Sequence, residues 1–166
     1  MIKRWLLGFF AYRSFEGYSP LVLVLQSSIQ GLGKTYWMRH LLPKELQKEF
    51  FSEAKMDGKI EDVYAQMASK LLLFNDEMGN ATVRDAKTFK ELVSKDKLTY
   101  RSPYARSAES HDRICLFAGS TNDMEILSDS TGNRRMLPIG IISIDQSKYN
   151  SIDKDALFVE IYRLHL

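Results

Sequence analysis

The sequence has little of the features that mark secreted or membrane proteins. Its one cysteine, Cys115, excludes an internal disulfide and favours a reducing cytoplasm. Its longest apolar run, Trp5 to Tyr12, is far shorter than the roughly 20 residues that cross a bilayer. Lys3 and Arg4 before this run resemble the start of a signal peptide, but Arg13 ends it and no small-residue cleavage site follows. We therefore expect a cytoplasmic protein without a membrane partner.

An excess of charge of one sign is also absent. The chain has 23 Lys and Arg against 21 Asp and Glu, and this net charge of +2 neither indicates nor excludes a nucleic-acid partner. A content of 45% hydrophobic and 27% charged residues is typical of a packed globular chain and excludes general disorder. With 166 residues, two independent cores would each be small, so we expect a single domain over residues 1–166.

Apolar runs typical of strands alternate along the chain with amphipathic segments typical of helices. Continuous apolar runs predict strands that are covered on both faces, at 21–25, 71–74 and 114–118. Helical periodicity appears between them, at 36–42, 60–69 and 86–95. We also expect a weak strand at 49–54, a hairpin or loop at 98–111, a last strand at 136–144 and a helix from 156. This alternation predicts an α/β fold, a three-layer αβα sandwich with a mostly parallel central sheet.

A phosphate-binding motif lies between the first predicted strand and the following helix. The P-loop pattern is G-x-x-x-x-G-K-[ST], and the sequence SIQGLGKT departs from it only where Ser28 replaces the first glycine. Lys34 would reach the β- and γ-phosphates, and the Thr35 hydroxyl would bind Mg²⁺. The alternative is a strand-to-helix turn with a coincidental Lys-Thr pair. We expect the loop to hold ATP through Ser28, Gln30, Gly31, Leu32, Gly33, Lys34 and Thr35.

Two acidic residues follow the second predicted strand, in the segment LLLFNDE. Asp76 is the candidate for holding Mg²⁺, and Glu77 is the candidate general base that polarises the attacking water. A second carboxylate at this position favours hydrolysis over transfer to a bound acceptor. The alternative is a strand that simply runs into a solvated acidic turn.

Polar residues lie next to two later strands as well. We expect Asn122, after the strand at 114–118, to lie between the P-loop and the acidic strand, where it contacts the γ-phosphate or the lytic water. Arg134 and Arg135 precede the last strand, and a planar guanidinium can neutralise charge on a transferred phosphoryl group. The alternatives are a turn or helix cap at Asn122 and a solvated arginine pair.

Taken in order, these motifs resemble the virulence-associated E family. The resemblance rests on IQGLGKT, LLLFNDE, KTFKELVSKDKLTYRSPYAR, LFAGSTN and STGNRRMLPI, and it covers about residues 1–145. The family consists of P-loop ATPases of phages and bacterial mobile elements, related to superfamily-3 helicases and AAA+ ATPases. The resemblance implies a Mg²⁺-dependent ATPase motor of a DNA replication helicase, excised from a longer primase/helicase-type chain. Ser28 and Asn75 depart from the family pattern and imply a slow or degenerate ATPase.

The resemblance also implies two sites that the motifs alone do not. Ring assembly, as a homo-oligomeric hexamer, would place Arg134 or Arg135 in the active site of a neighbouring subunit. A hairpin before the polar strand end touches DNA in superfamily-3 helicases, and its match here contains Arg101, Tyr104, Arg106 and His111. Interleaved Arg and Tyr suit phosphate contact and base stacking on single-stranded DNA. The alternative is a solvated hairpin packed by its tyrosines.

Two other functions remain open from the sequence. One is a small-molecule kinase of the P-loop class. Glu77 beside Asp76, and the lack of an acceptor-binding arginine set before them, argue against it. The other is a weakly hydrolysing nucleotide-binding interaction module, which Ser28 favours.

Overall fold

A central sheet flanked by helices and a separate two-stranded hairpin make up the described part of the chain. The computed structural model describes residues 2–11, 21–53, 59–76, 78, 83–102, 105–122 and 135–166, without the side chains of 83–87. The helices are α1 (Ile2–Ala11), α2 (Lys34–Arg39), α3 (Lys44–Phe50), α4 (Ile60–Ser69), α5 (Val83–Val93), α6 (Gln146–Ser151) and α7 (Lys154–His165). The strands are β1 (Val22–Gln26), β2 (Phe51–Glu53), β3 (Leu72–Asn75), β4 (Lys97–Tyr100), β5 (Glu109–Asp112), β6 (Leu116–Thr121) and β7 (Met136–Gly140).

The five-stranded sheet has the order β2-β3-β6-β1-β7, and all of its neighbouring pairs are parallel. Strand β6 therefore separates β1 from β3, although β3 precedes β6 in the chain. Because parallel strands end at the same edge, the residues after β1, β3 and β6 meet along one side of the sheet. The expected α/β fold with a parallel central sheet is confirmed.

Helices cover both faces of this sheet, which confirms the three-layer arrangement. Successive side chains of a strand point to opposite faces. On β1, Val22 and Val24 pack in one buried cluster with residues of α4 and α5, such as Val63 and Leu92. The alternate residues Leu23 and Leu25 join a second cluster with Trp5 and Phe9 of α1 and Met38 of α2. A strand covered on both sides needs apolar residues at every position, which is why the segment LVLVL reads as a continuous run.

The hairpin of β4 and β5 is anchored in the core through β4, where Leu98 is buried and Tyr100 packs against the same cluster. The two strands pair antiparallel, with Lys97 opposite Asp112 and Tyr100 opposite Glu109. Leu98 is fully buried in the cluster under α4 and α5, whereas the outer residues of the hairpin are exposed. The sequence predicted either a hairpin or a loop at 98–111, and the structure has a hairpin there.

Two short helices, α3 and α6, were missed by the sequence analysis, and two strands are shorter than expected. The weak strand expected at 49–54 is described only as β2, because α3 begins after Pro43 and continues to Phe50.

The last strand ends at Gly140 rather than at residue 144. Its partner β1 ends at Gln26, whose carbonyl accepts the final bond from the backbone N–H of Ile141 at 2.7 Å. Helix α6 then begins after Asp145, whose carboxylate accepts from the Lys148 backbone N–H at 3.0 Å.

Gly119 on β6 allows the close approach that sets the end of β3. Gly119 pairs with Asn75, and a Cβ atom at Gly119 would lie 2.8 Å from the Asn75 carbonyl oxygen and would also collide with Met78. A side chain there would push β3 away from β6, at a cost of about 1–3 kcal/mol. This glycine therefore sets the position of Asp76, which follows Asn75 in the chain.

Cys115 is a core residue immediately before β6. Its side chain is fully buried, and burial raises the pKa of the thiol to about 12 in spite of the nearby Arg113 charge. A thiol that stays protonated at neutral pH is a poor nucleophile. Cys115 is therefore an inert core residue.

The helices of the described ranges are all short. The longest, α7, has 12 residues, and none in this part of the chain combines the length and apolarity that a bilayer crossing requires.

Candidate nucleotide-binding site

The loop between β1 and α2 has two residues in the left-handed backbone region. Gly31 has a φ of 74° and Gly33 a φ of 84°, a conformation that residues with side chains rarely adopt. Gly33 directly precedes Lys34, the first residue of α2. Ser28 and Gln30 are exposed on the loop and Leu32 is half-buried. Glycines in this conformation allow successive backbone N–H groups to turn toward an anion, and the start of α2 adds its own N–H groups. Within the loop, the Ile29 N–H donates to Ser27 Oγ at 3.2 Å.

Lys34 lies at the carboxyl ends of β1 and β6. Its side chain is buried, and the ammonium Nζ donates to the Asn122 Oδ1 at 2.6 Å. It also donates to the backbone carbonyls of Ser27 and Thr121, at 3.3 and 3.4 Å. Because the Asn122 oxygen accepts from Lys34, its Nδ2 group remains as a donor for a phosphate oxygen or a water. The structure therefore brings together the lysine and the asparagine that the sequence placed at this edge.

Asp76 accepts hydrogen bonds from two hydroxyl groups. Thr35 Oγ1 donates to Asp76 Oδ2 at 2.7 Å, and Ser120 Oγ donates to Asp76 Oδ1. The strand register explains the second bond: Asn75 is opposite Gly119, so Asp76 and Ser120 are the next neighbours along β3 and β6. Both point to the face of the sheet that α2 covers. Thr35 and Asp76 were predicted together as a metal site, whereas Ser120 was not predicted.

The oxygen atoms around Asp76 fit a magnesium ion that arrives with a nucleotide. No group of three or more His, Cys, Asp or Glu able to hold a metal exists among the residues that the structure describes. Mg²⁺ in nucleotide sites is bound by one or two carboxylates together with the substrate phosphates and several waters. The Thr35 hydroxyl and the Asp76 carboxylate supply hard oxygen ligands of this kind, without forming a complete cage of their own.

Helix α6 lies against the P-loop and α2, a contact that the sequence analysis did not foresee. A Cβ atom on Gly33 would lie only 2.7 Å from Gln146 Nε2, so the Gln146 side chain is held directly against the loop. One turn later, Asn150 Oδ1 accepts from the Tyr36 hydroxyl at 3.1 Å. The Tyr149 hydroxyl donates to the Trp37 carbonyl at 2.7 Å. Asp145, a residue type that favours the N-cap position, is the sequence signal that could have indicated where this helix begins.

The hairpin residues expected to touch DNA lie on a separate element from the P-loop. Arg106 is exposed, and Arg101 is exposed with its Nε donating to the Ala105 carbonyl at 2.8 Å. His111 is half-buried, with its ring centroid 4.8 Å from that of Tyr100. Tyr104 lies outside the described residues. The described part of the hairpin thus presents two exposed arginines near its turn. Within the described residues, no hydrogen bond joins either arginine to the P-loop.

Of the two expected arginines before β7, the structure describes one. The Arg135 guanidinium donates to Ser94 Oγ, immediately after α5 of its own chain. Arg134 and the candidate base Glu77 lie outside the described residues. Their predicted roles therefore rest on their sequence positions.

The strand order, the glycine loop before α2, and the convergence of Lys34, Thr35 and Asp76 define a P-loop-type αβα domain. Within that class, the chain belongs to the virulence-associated protein E-like family, whose domain model matches residues 1–165. The family resemblance inferred from the motifs is therefore confirmed. Among curated proteins, no match to this chain was found.

Solved structures of the NrS-1 C-terminal region have a similar fold. One apo structure matches with a TM-score of 0.62 at 15% sequence identity, covering 99% of this chain and 38% of that one. Two A-form apo structures match with TM-scores of 0.59 and 0.58, each at 16% identity and 99% coverage of this chain. These matches cover 37% and 38% of the NrS-1 chains. This chain therefore spans less than two-fifths of the length of the solved chains, and at this identity the likeness concerns the fold alone.

Proposed function

We propose that this chain is a Mg²⁺-dependent, ATP-binding and ATP-hydrolysing motor domain of a phage or mobile-element DNA replication helicase, acting in the cytoplasm. One observation carries the proposal: Lys34 is bonded to Asn122 while Thr35 is bonded to Asp76. These four side chains come from three segments of the chain and meet at one edge of the sheet. Membership in the virulence-associated protein E-like family supports the replication setting.

In the proposed reaction, Lys34 exchanges its acceptors for phosphate oxygens. In the structure its ammonium group is shared among one amide oxygen and two backbone carbonyls, all uncharged. A phosphate oxygen carries a negative charge that these neutral acceptors lack, so it adds a direct Coulomb attraction to its bond with the ammonium group. A terminal phosphate at this edge therefore competes well for the lysine, and its arrival frees the Asn122 side chain to contact the γ-phosphate or the lytic water.

Asp76 and Glu77 have different roles in this proposal. Asp76, whose two oxygen atoms accept from the Thr35 and Ser120 hydroxyls, would hold Mg²⁺ through water. Bound Mg²⁺ would neutralise charge that develops on the phosphate oxygens. Glu77, the next residue, takes the proton of the attacking water.

Phosphate release tests this function against its two rivals. The chain is incubated with Mg²⁺ and ATP at concentrations where it self-associates, with and without single-stranded DNA, and inorganic phosphate is measured. Parallel samples test transfer to nucleosides and nucleotides. We expect release that DNA stimulates, and a Glu77→Gln control that still binds ATP but turns it over far more slowly.

Each rival predicts a different result. Transfer to an acceptor without free phosphate would support a small-molecule kinase. Binding with no turnover under any of these conditions would support a nucleotide-binding interaction module. Hydrolysis by Glu77→Gln at the parental rate would remove Glu77 from the mechanism.

We further propose that the hairpin contacts single-stranded DNA through its exposed arginines. Replacing both Arg101 and Arg106 with alanine is expected to weaken binding and to flatten its salt dependence. Each lost phosphate contact removes about 0.7 from the slope of log affinity against log salt. Fluorescence anisotropy of a labelled oligonucleotide over a range of salt measures this slope.

Lys97→Ala is the matched control for the hairpin. Lys97 is an exposed cation on the same hairpin, but it is paired with Asp112 at the end away from the turn. We expect this variant to keep the parental slope. An unaltered slope in the double arginine variant, with the fold intact, would reduce the hairpin to a solvated structural element.

A further inference from the structure

The side chain of Gln146 lies against the P-loop without belonging to the phosphate-binding motif. Its Nε2 atom occupies the space beside Gly33, where any Cβ atom would collide with it at 2.7 Å. The residue is otherwise exposed and is the first of α6. A flexible carboxamide at the rim of the loop is therefore placed to touch whatever the loop holds.

The sheet order shows which part of a nucleotide would reach Gln146. Asp76 and Asn122, which face the terminal phosphate in the proposed site, lie on the β3 and β6 side of β1. Strand β7 lies on the opposite side of β1 and leads into α6. A nucleotide with its γ-phosphate at Asp76 and Asn122 that extends its nucleoside away from them, along the loop, would place the nucleoside on the side of α6.

The packing of α6 on α2 fixes the position of Gln146. Gln146 and Asn150 are four residues apart and share one face of the helix. Asn150 accepts from the Tyr36 hydroxyl of α2, and Tyr149 bonds and stacks with Trp37 at a centroid distance of 5.3 Å. These contacts hold the face that carries Gln146 toward the loop.

We propose that Gln146 contacts the nucleoside of the bound nucleotide and selects adenine. A carboxamide offers one donor and one acceptor, which match the N7 acceptor and N6 amino donor of adenine. Guanine presents two acceptors at the corresponding edge and can take only one of the two bonds. The inference rests on the proposed function, since it requires that the P-loop holds a nucleotide.

Binding of three ligands to Gln146→Ala tests the selection. Wild-type and variant chains are titrated with ATP, GTP and inorganic tripolyphosphate in the presence of Mg²⁺. We expect the wild-type chain to prefer ATP over GTP, and the variant to lose about tenfold in ATP affinity, equal to about 1.4 kcal/mol. Tripolyphosphate, which has no nucleoside, is expected to bind both chains equally. Ser147→Ala, at the next and also exposed position of α6, is the control and should retain the wild-type preference.

The outcomes separate this inference from the proposed function. An unchanged ratio of ATP to GTP affinity in Gln146→Ala would overturn the selection of adenine. A parallel loss of ATP and tripolyphosphate would also overturn it, because Gln146 would then act through the loop itself. A wild-type chain that binds tripolyphosphate as tightly as ATP excludes a nucleoside contact but leaves the P-loop intact. Failure of the wild-type chain to bind any of the three would overturn the proposed function and the inference with it.

Discussion

The Lys34→Ala variant is expected to lose at least tenfold in ATP affinity, about 1.4 kcal/mol. Lys34 is the cation at the start of α2, and it is buried and already oriented by Asn122 and two backbone carbonyls. Its replacement removes a charge-assisted bond to the terminal phosphates and leaves the anion without that neutralisation. Calorimetric titration of ATP into the folded variant measures the loss.

Arg39→Ala provides the control for this substitution. Arg39 is the last residue of the same helix, but it is exposed and paired with Glu53. We expect it to bind ATP like the parental chain. Unchanged ATP affinity in Lys34→Ala, with the fold verified by circular dichroism, would contradict the assignment of a P-loop.

A second large effect is expected from the arginine pair before β7. If Arg134 or Arg135 completes the site of a neighbouring subunit, removing both lowers ATP hydrolysis in the assembled ring by about 10³–10⁵-fold. Of the two, we expect Arg134 to take this role, because Arg135 leads directly into β7 and its guanidinium is bonded to Ser94 of its own chain. The isolated monomer would then bind ATP but hydrolyse it poorly.

Mixing two inactive variants tests action between subunits. One variant carries Lys34→Ala and the other carries Arg134→Ala with Arg135→Ala. A mixed ring contains some interfaces with an intact P-loop and an intact arginine pair, so we expect ATPase activity to return on mixing. Absence of recovery in rings shown to contain both variants would place the arginines within their own chain or outside the reaction.

The layers of the fold were predictable because buried parallel strands and P-loops have strong local signals. The run LVLVL identified β1, since a strand covered on both faces needs apolar residues at every position. The short helices α3 and α6 lack such a signal. Helix α6 has six residues, of which only Tyr149 is buried, and it contacts the P-loop and α2, more than 100 positions earlier in the chain. Its position is therefore set by tertiary packing and not by its own periodicity.

In the candidate site, too, residues with a local sequence signal were predictable, whereas residues placed by tertiary packing were not. The meeting of Lys34, Thr35 and Asp76 at one edge of the sheet was predictable, because the P-loop motif and the acidic strand end place those residue types after particular strands. Ser120 was missed because its bond to Asp76 depends on the register between β3 and β6. Gln146 was missed because its contact with Gly33 depends on how α6 packs. A single sequence carries neither the register nor the packing explicitly.

The most direct test of the central claim is the effect of Mg²⁺ on ATP binding by wild-type and Asp76→Asn chains. In the proposed site, Thr35 and Asp76 would share a metal that arrives with the nucleotide. We therefore expect Mg²⁺ to tighten ATP binding to the wild-type chain by roughly tenfold, about 1.4 kcal/mol. We expect Asp76→Asn to lose most of this gain but to bind metal-free ATP at least as well, because a negative charge near the phosphates is gone. Equal dependence on Mg²⁺ in both chains, or no binding of ATP by the wild-type chain, would contradict the proposed site.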